Sequence, residues 1–243
     1  MTHGPATFLF GGGWDPSMAE LYGRFLVACE RPEPEIACVI LDEGEGADHQ
    51  RFTNALLAAG ACRPRPVIVR LGEAWDGTGL ADADGLFVCG GLTPGYQEVI
   101  APAADAVRGW LAQGRPYGGF SAGAALAAHG AVVGGWRLDG RQVCPDEAGE
   151  DLDDVTVRPG LGLVPFAVDV HCAQWGTLPR LIGAVHAGLV SDGVAIDENT
   201  LVAVRDGVAT VHGLGHAWHV APTGAVTPLR AGRTFELAAS VRR

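Results

Sequence analysis

Residues 117–124 constrain this chain more than any other stretch. They run Tyr117, Gly118, Gly119, Phe120, Ser121, Ala122, Gly123, Ala124, a Gly-x-Ser-x-Gly pattern centred on Ser121. A short apolar strand (116–120) leads in, and an alanine-rich helix (122–129) leads out. A serine on so sharp a strand-to-helix turn is held clear of its neighbours, and the crowded turn tolerates only small flanking residues. Gly119, Ala122 and Gly123 supply them. Free N–H groups at the start of the helix would face any oxyanion formed beside the serine. The same pattern also serves as a plain turn that lets a helix pack on a sheet, so the rest of the chain has to separate nucleophile from packing device.

Composition narrows the chemistry. The formal charge of -11 disfavours nucleic acid and anionic membrane as partners. The chain has no lysine, so all 17 basic residues are arginine. That excludes a Schiff-base lysine, a phosphate-loop lysine and a serine–lysine dyad. Apolar residues make up 48 %, enough to bury a sizeable core. Residues 1–5 show no basic and apolar leader pattern, and no uncharged apolar run reaches the length of a membrane span. A soluble, cytoplasmic protein is the expectation. Cys29, Cys38, Cys62, Cys89, Cys144 and Cys172 show no Cys-x-x-Cys spacing, and several lie in strand-like runs. They are expected to be reduced and mostly buried.

Taken in order, the chain alternates strand and helix. Thr7–Phe10 is an apolar strand ending in Gly11, Gly12 and Gly13. That glycine turn has the composition of a phosphate cradle, but Asp15 and Pro16 break the dinucleotide spacing. Helices are expected over 18–29, 50–59, from about 96, and over 103–113. Apolar runs predict strands at 36–41, 66–71 and 86–89. The acidic loop 42–46 is expected to be solvated rather than metal-binding, and residues 72–84 to be irregular. Beyond the serine, 131–138 reads as strand and turn, and the acidic stretch 144–154 as a solvated loop or flap. Val168 to His171 is a strand ending on a histidine, 177–187 a helix, and 194–200 a strand running into an acidic turn. Short strands follow at 201–205, 209–212, 217–220 and 234–237. This pattern predicts one α/β domain over residues 1–243. Its mostly parallel sheet carries helices on both faces, and its carboxyl third is a β-rich extension of that same sheet.

Ligands of such sheets sit at the carboxyl ends of the strands. Gly90, Gly91 and Ser121 all lie at such ends, so the Gly90–Gly91 turn can offer an N–H to the same oxyanion as Ala122. A serine nucleophile needs a base to take its proton and an acid to orient the base. Eight histidines are available. His3 lies near the terminus and His49 in the acidic loop, while His129 and His186 lie near helix ends. His212, His216 and His219 have a spacing open to zinc, but they run through strand and turn with no acidic residue among them. His171 follows a strand and comes after the serine, where a structural role and a catalytic one are both open.

Several segments together carry a resemblance. They are Gly90–Gly91, Gly119 to Ala124, Gly160 to Pro165, Val168 to His171 and Ala195 to Thr200. In order and spacing the chain resembles the serine peptidase family of aspartyl dipeptidase (peptidase E) and cyanophycinase. The resemblance covers most of the chain from Phe8 onward. It implies a class I glutamine-amidotransferase-like fold, Ser121 as nucleophile and His171 as general base. It implies an oxyanion hole from Ala122 and the Gly90–Gly91 turn. For the acid it favours Glu198, with Asp197 and Asp169 as alternatives and Glu150 and Asp151 behind them. Arg180 matches an arginine that would hold a substrate carboxylate, although a plain helix arginine fits the position too. Asp169 and Thr93 complete the expected substrate-binding set.

The chain also departs from the family. Leu92 and Thr93 stand where cyanophycinases carry a glutamine, and Trp175 and Thr177 where they carry arginines. The segment between Ser121 and His171 is longer than in aspartyl dipeptidase. The expected function is hydrolysis of a small peptide or amide bond, with neither metal nor cofactor and with a homodimer in reach. The competing readings are an esterase or amidase of the same mechanism and an inactive ligand-binding relative.

Overall fold

The structure, a computed structural model, describes residues 5–237; His3 lies outside them. The first half of the chain builds the parallel part of a large sheet. Its strands are β1 (Thr7–Phe10), β2 (Glu35–Asp42), β3 (Arg63–Arg70), β4 (Gly85–Val88) and β5 (Tyr117–Phe120). Between them run α1 (Met18–Ala28), α2 (His49–Ala59), α3 (Thr93–Ile100) and α4 (Ala104–Leu111). The run Ile36 to Leu41 has no polar member because β2 is covered on both faces. β3 begins three residues earlier than its apolar run, at Arg63. Its two prolines, Pro64 and Pro66, are tolerated because β3 is the edge strand.

Two adjacent glycines in β5 show how tightly both faces are covered. A Cβ on Gly118 would lie 2.7 Å from Phe87 and 3.2 Å from Phe25 of α1. A Cβ on Gly119, pointing to the other face, would lie 2.4 Å from the carbonyl oxygen of Gly123. Gly123 sits in α5 (Ala122–Leu126), which therefore lies on the sheet face opposite α1. α5 stops at Leu126, three residues short of the expected end. The carbonyls of Leu126, Ala127 and Ala128 turn to the N–H groups of residues 161–164 instead, and that pairing ends the helix.

The remaining elements are β6 (Gly130–Gly134), β7 (Arg137–Leu138), β8 (Arg141–Gln142), β9 (Thr156–Pro159), β10 (Ala167–Asp169), α6 (Cys172–Trp175), α7 (Leu178–His186) and β11 (Gly193–Ile196). After them come β12 (Thr200–Arg205), β13 (Val208–Gly213), β14 (His216–Val220), β15 (Val226–Arg230) and β16 (Thr234–Glu236). Among the described residues the large sheet has the order β16-β13-β12-β1-β5-β4-β2-β3, parallel from β1 to β3 and antiparallel from β1 to β16.

Here the sequence expectation needs correcting. β12, β13 and β16 do extend the large sheet, but β10, β11, β14 and β15 form a second, four-stranded sheet. A small apolar cluster backs it, including Leu181 and Val185 from α7 and Val220 from β14. The acidic stretch is also less solvated than expected. Asp146, Glu147, Asp151 and Asp153 face water, but Cys144, Ala148 and Gly149 are buried beneath them. All six cysteines are buried and unpaired. Among the described residues, no helix is long and apolar enough to cross a membrane.

Candidate active site

Ser121 stands at the carboxyl end of β5 with φ 53° and ψ -111°, a strained conformation for a residue with a side chain. Its N–H donates to the Phe10 carbonyl at the end of β1. The glycines of the pattern are explained by close approach: a Cβ on Gly123 would lie 2.2 Å from the Val88 carbonyl oxygen. Gly90 ends β4 on the other side, where a Cβ would lie 2.9 Å from that of Ser121. Ala122, at the first helical position, has no carbonyl within its own helix to receive its N–H.

The partners come from the second sheet. Ser121 Oγ lies 2.8 Å from His171 Nε2, and His171 Nδ1 lies 2.7 Å from Glu198 Oε1. His171 follows β10, and Glu198 follows its parallel neighbour β11. His171 adopts a left-handed conformation, φ 53° and ψ 34°, which turns the chain from the strand into α6. Burial pushes the imidazole below its ordinary value of 6.5, against the upward pull of the Glu198 carboxylate. The ring is therefore neutral at neutral pH. With Nδ1–H directed at the carboxylate, Nε2 is left to accept from the serine hydroxyl.

Of the five carboxylates left open by the sequence, Glu198 is the one hydrogen-bonded to the imidazole. Asp197 accepts from Ala173 N–H, His216 N–H and the Trp218 indole instead. Glu150 accepts from the Thr93 N–H and hydroxyl, tying the 144–154 flap to the start of α3. Asp151 is exposed.

Arg180, Asp169 and Thr93, the expected substrate-binding set, make their contacts within the protein. Arg180 is only 4 % exposed and Asp169 only 1 %. The two form a two-pronged ion pair, Nε to Oδ2 at 2.9 Å and Nη2 to Oδ1 at 2.7 Å. Arg180 Nη1 donates to the carbonyls of Gly135 and Ala148. Burial opposes the charge on the guanidinium, but Asp169 outweighs it and holds the group protonated. Four of the five guanidinium N–H donors are committed inside the protein, and the buried side chain is directed at Asp169 rather than at a substrate. Thr93 is likewise occupied by Glu150.

Two features escaped the sequence reading. The first is the Gly11–Gly13 turn, which is the seat of the histidine. Gly11 C=O accepts from His171 N–H, and Gly12 C=O accepts from Asn199 N–H. A Cβ on Gly12 would lie 2.1 Å from His171 Cε1. Three consecutive glycines at a strand end were the available signal. The second is Trp175, whose indole stacks on the His171 ring with centroids 4.0 Å apart. Beside Gly90 a cavity of about 500 Å³ opens, lined by Leu41, Glu43, Glu45, Asp48 and Phe52. Asp42 closes the acidic loop there by accepting the N–H groups of Gly44 and Gly46. His216 lies 3.7 Å from Asp197 and His219 stacks on Phe235. Among the described residues no three His, Cys, Asp or Glu side chains are placed to hold a metal ion.

A serine at a strand end, against a histidine and a glutamate from a second sheet, belongs to a mixed α/β fold that solved peptidases share. The chain is similar in fold to a peptidase from an acI-B1 Actinobacterium, with a TM-score of 0.67 and 15 % identity over 97 % of this chain and 98 % of that one. It is also similar to a protein from Listeria monocytogenes EGD-e provisionally assigned as peptidase E, with a TM-score of 0.57 and 16 % identity over 87 % and 99 %. At these identities the likeness is one of fold. No family model matches the chain, and no curated protein does.

Proposed function

We propose that the chain is a serine hydrolase that cleaves a small peptide or amide bond, on a class I glutamine-amidotransferase-like framework. The observation that carries this reading is the continuous chain from Ser121 Oγ through His171 to Glu198, with links of 2.8 and 2.7 Å. His171 Nε2 takes the Ser121 proton as Oγ attacks the substrate carbonyl. The oxyanion is received by the N–H groups of Ala122 and the Gly90–Gly91 turn. His171 then gives its proton to the leaving amine, and water repeats the cycle on the acyl-enzyme. The peptidase fold of the solved neighbours supports a peptide or amide over an ester. The test is hydrolysis of a dipeptide panel that includes N-terminal aspartyl and β-aspartyl-arginine members. Cleavage that competes with a serine-directed phosphonate supports the reading. Failure of the wild-type protein to cleave any member or to react with the phosphonate overturns it.

Three further outcomes follow from the geometry. Because burial holds His171 below 6.5, kcat/KM is expected to be level at neutral pH and to fall about tenfold per unit once pH drops below the His171 value. Glu198→Gln removes the charge that raises that value and offers Nδ1 an amide N–H that favours the wrong tautomer of the ring, so kcat is expected to fall roughly 10³- to 10⁴-fold. A pH–rate profile of both proteins checks this. Gly12→Ala forces its methyl group into the His171 ring and strains a backbone at φ 104°. A displacement on the order of 1 Å at the base is expected to lower kcat by about 100-fold, measured alongside the circular dichroism of the variant.

A further inference from the structure

We propose that Trp175 is a positioning residue for His171: its indole holds the imidazole in the plane that meets both Ser121 and Glu198, and it stabilises the ring while it carries the proton. The catalytic part of this rests on the hydrolase reading above. The two rings are stacked with centroids 4.0 Å apart and only 9° between their planes. The backbone is shaped for that contact. His171 is left-handed, α6 makes a single turn, the Trp175 N–H donates to the His171 carbonyl at 2.7 Å, and Gly176 ends the turn at φ 68°. This brings residue 175 back over residue 171, the spacing at which helical side chains meet.

The other sides of the imidazole are already closed. Glu198 holds Nδ1, Ser121 meets Nε2, and the Gly12 backbone leaves no room near Cε1. Trp175 is 40 % exposed and His171 only 7 %, so the indole stands between the ring and solvent. The same turn also grips the acid, because Gln174 Oε1 accepts the Glu198 N–H at 2.8 Å. The charged groups acting on His171 are Glu198 and Asp169, which favour its protonated form, and Arg180, which opposes it. All three survive a change at Trp175. A cation on the face of tryptophan is stabilised by roughly 2- to 30-fold in equilibrium terms, and the proton is on His171 during both acyl transfers.

The test compares Trp175→Leu, which keeps an apolar cover without a π face, with Trp175→Phe, which keeps the face. Trp175→Met replaces the leucine variant if that one does not fold. Two quantities are read on the full chain: kcat and KM for the best dipeptide of the panel, and the His171 titration followed by NMR and assigned with His171→Gln. Trp175→Leu is expected to lower kcat about tenfold with KM within about twofold, and to move the His171 midpoint down by about half a unit. Trp175→Phe is expected to recover most of both. A leucine variant with the kcat and the His171 midpoint of the wild type overturns the proposal. The titration needs no substrate. If the wild type cleaves nothing, the hydrolase reading falls by itself, and the midpoint still decides whether Trp175 acts on the ring.

Discussion

Ser121→Ala is expected to abolish turnover, with a loss of about 10⁴- to 10⁶-fold in kcat. The hydroxyl is the one atom group that the variant removes, and in the proposed cycle no other group can form the acyl-enzyme. The buried cysteines do not substitute. Cys172 adjoins the histidine, but burial pushes its thiol well above the ordinary value and keeps it protonated. The fold should not suffer. Ser121 is held at φ 53° by the crowding of Gly119, Gly123 and Gly90, and alanine meets the same backbone requirement. Alanine keeps the backbone strain and loses only the hydrogen bond to His171, so the melting temperature is expected to stay within a few degrees of wild type. Steady-state rates and a thermal melt of the same preparation check both halves. Activity above about 1 % of wild type in Ser121→Ala would remove the serine from the reaction.

Arg180→Ala is expected to have the largest effect on stability. It leaves the Asp169 carboxylate, 1 % exposed, with its charge inside the protein and its strongest partner gone. Removing one member of a buried pair costs about 3–5 kcal/mol, which for a chain of this length lowers the melting temperature by roughly 10 °C. The guanidinium also holds the carbonyls of Gly135 and Ala148, so the flap loses one of its anchors at the same time. Had Arg180 received a substrate carboxylate, the variant would raise KM and leave the melt unchanged. The expected result is the reverse. A double variant, Asp169→Leu with Arg180→Met, removes both charges, and a partial recovery of the melt is expected because two apolar groups replace the pair. A wild-type melt for Arg180→Ala would show that the ion pair does not carry the stability assigned to it.

What was legible in the chain was local. The run Ile36 to Leu41 announces a strand covered on both faces, and α1 and α2 follow from apolar spacing. β3 reaches back to Arg63, beyond the apolar run 66–71, because Pro64 and Pro66 are acceptable at the sheet edge. The length of α5 was overestimated because alanine favours helix, while residues 161–164 compete for its last carbonyls. The second sheet was missed for a similar reason. The alternation in β10 and β11 says that each is a strand, but not which edge it joins.

By itself, then, the sequence determined the turn at Ser121. Gly119 is required by the Gly123 carbonyl within the same short segment, so that part of the pattern is written locally, while Gly123 also answers to Val88 of the neighbouring strand. The sequence also determined the order of strands and helices from β1 to α5 and the two-sided cover of the parallel strands. The resemblance favours Glu198 as the acid, but Asp197, Asp169, Glu150 and Asp151 stay open until β10 and β11 pair side by side. Tertiary structure alone decided that Arg180 turns inward to Asp169, and that Gly11–Gly13 seats a histidine some 160 residues further along the chain. These outcomes depend on where distant segments meet, and on charges that burial obliges to find partners within the protein.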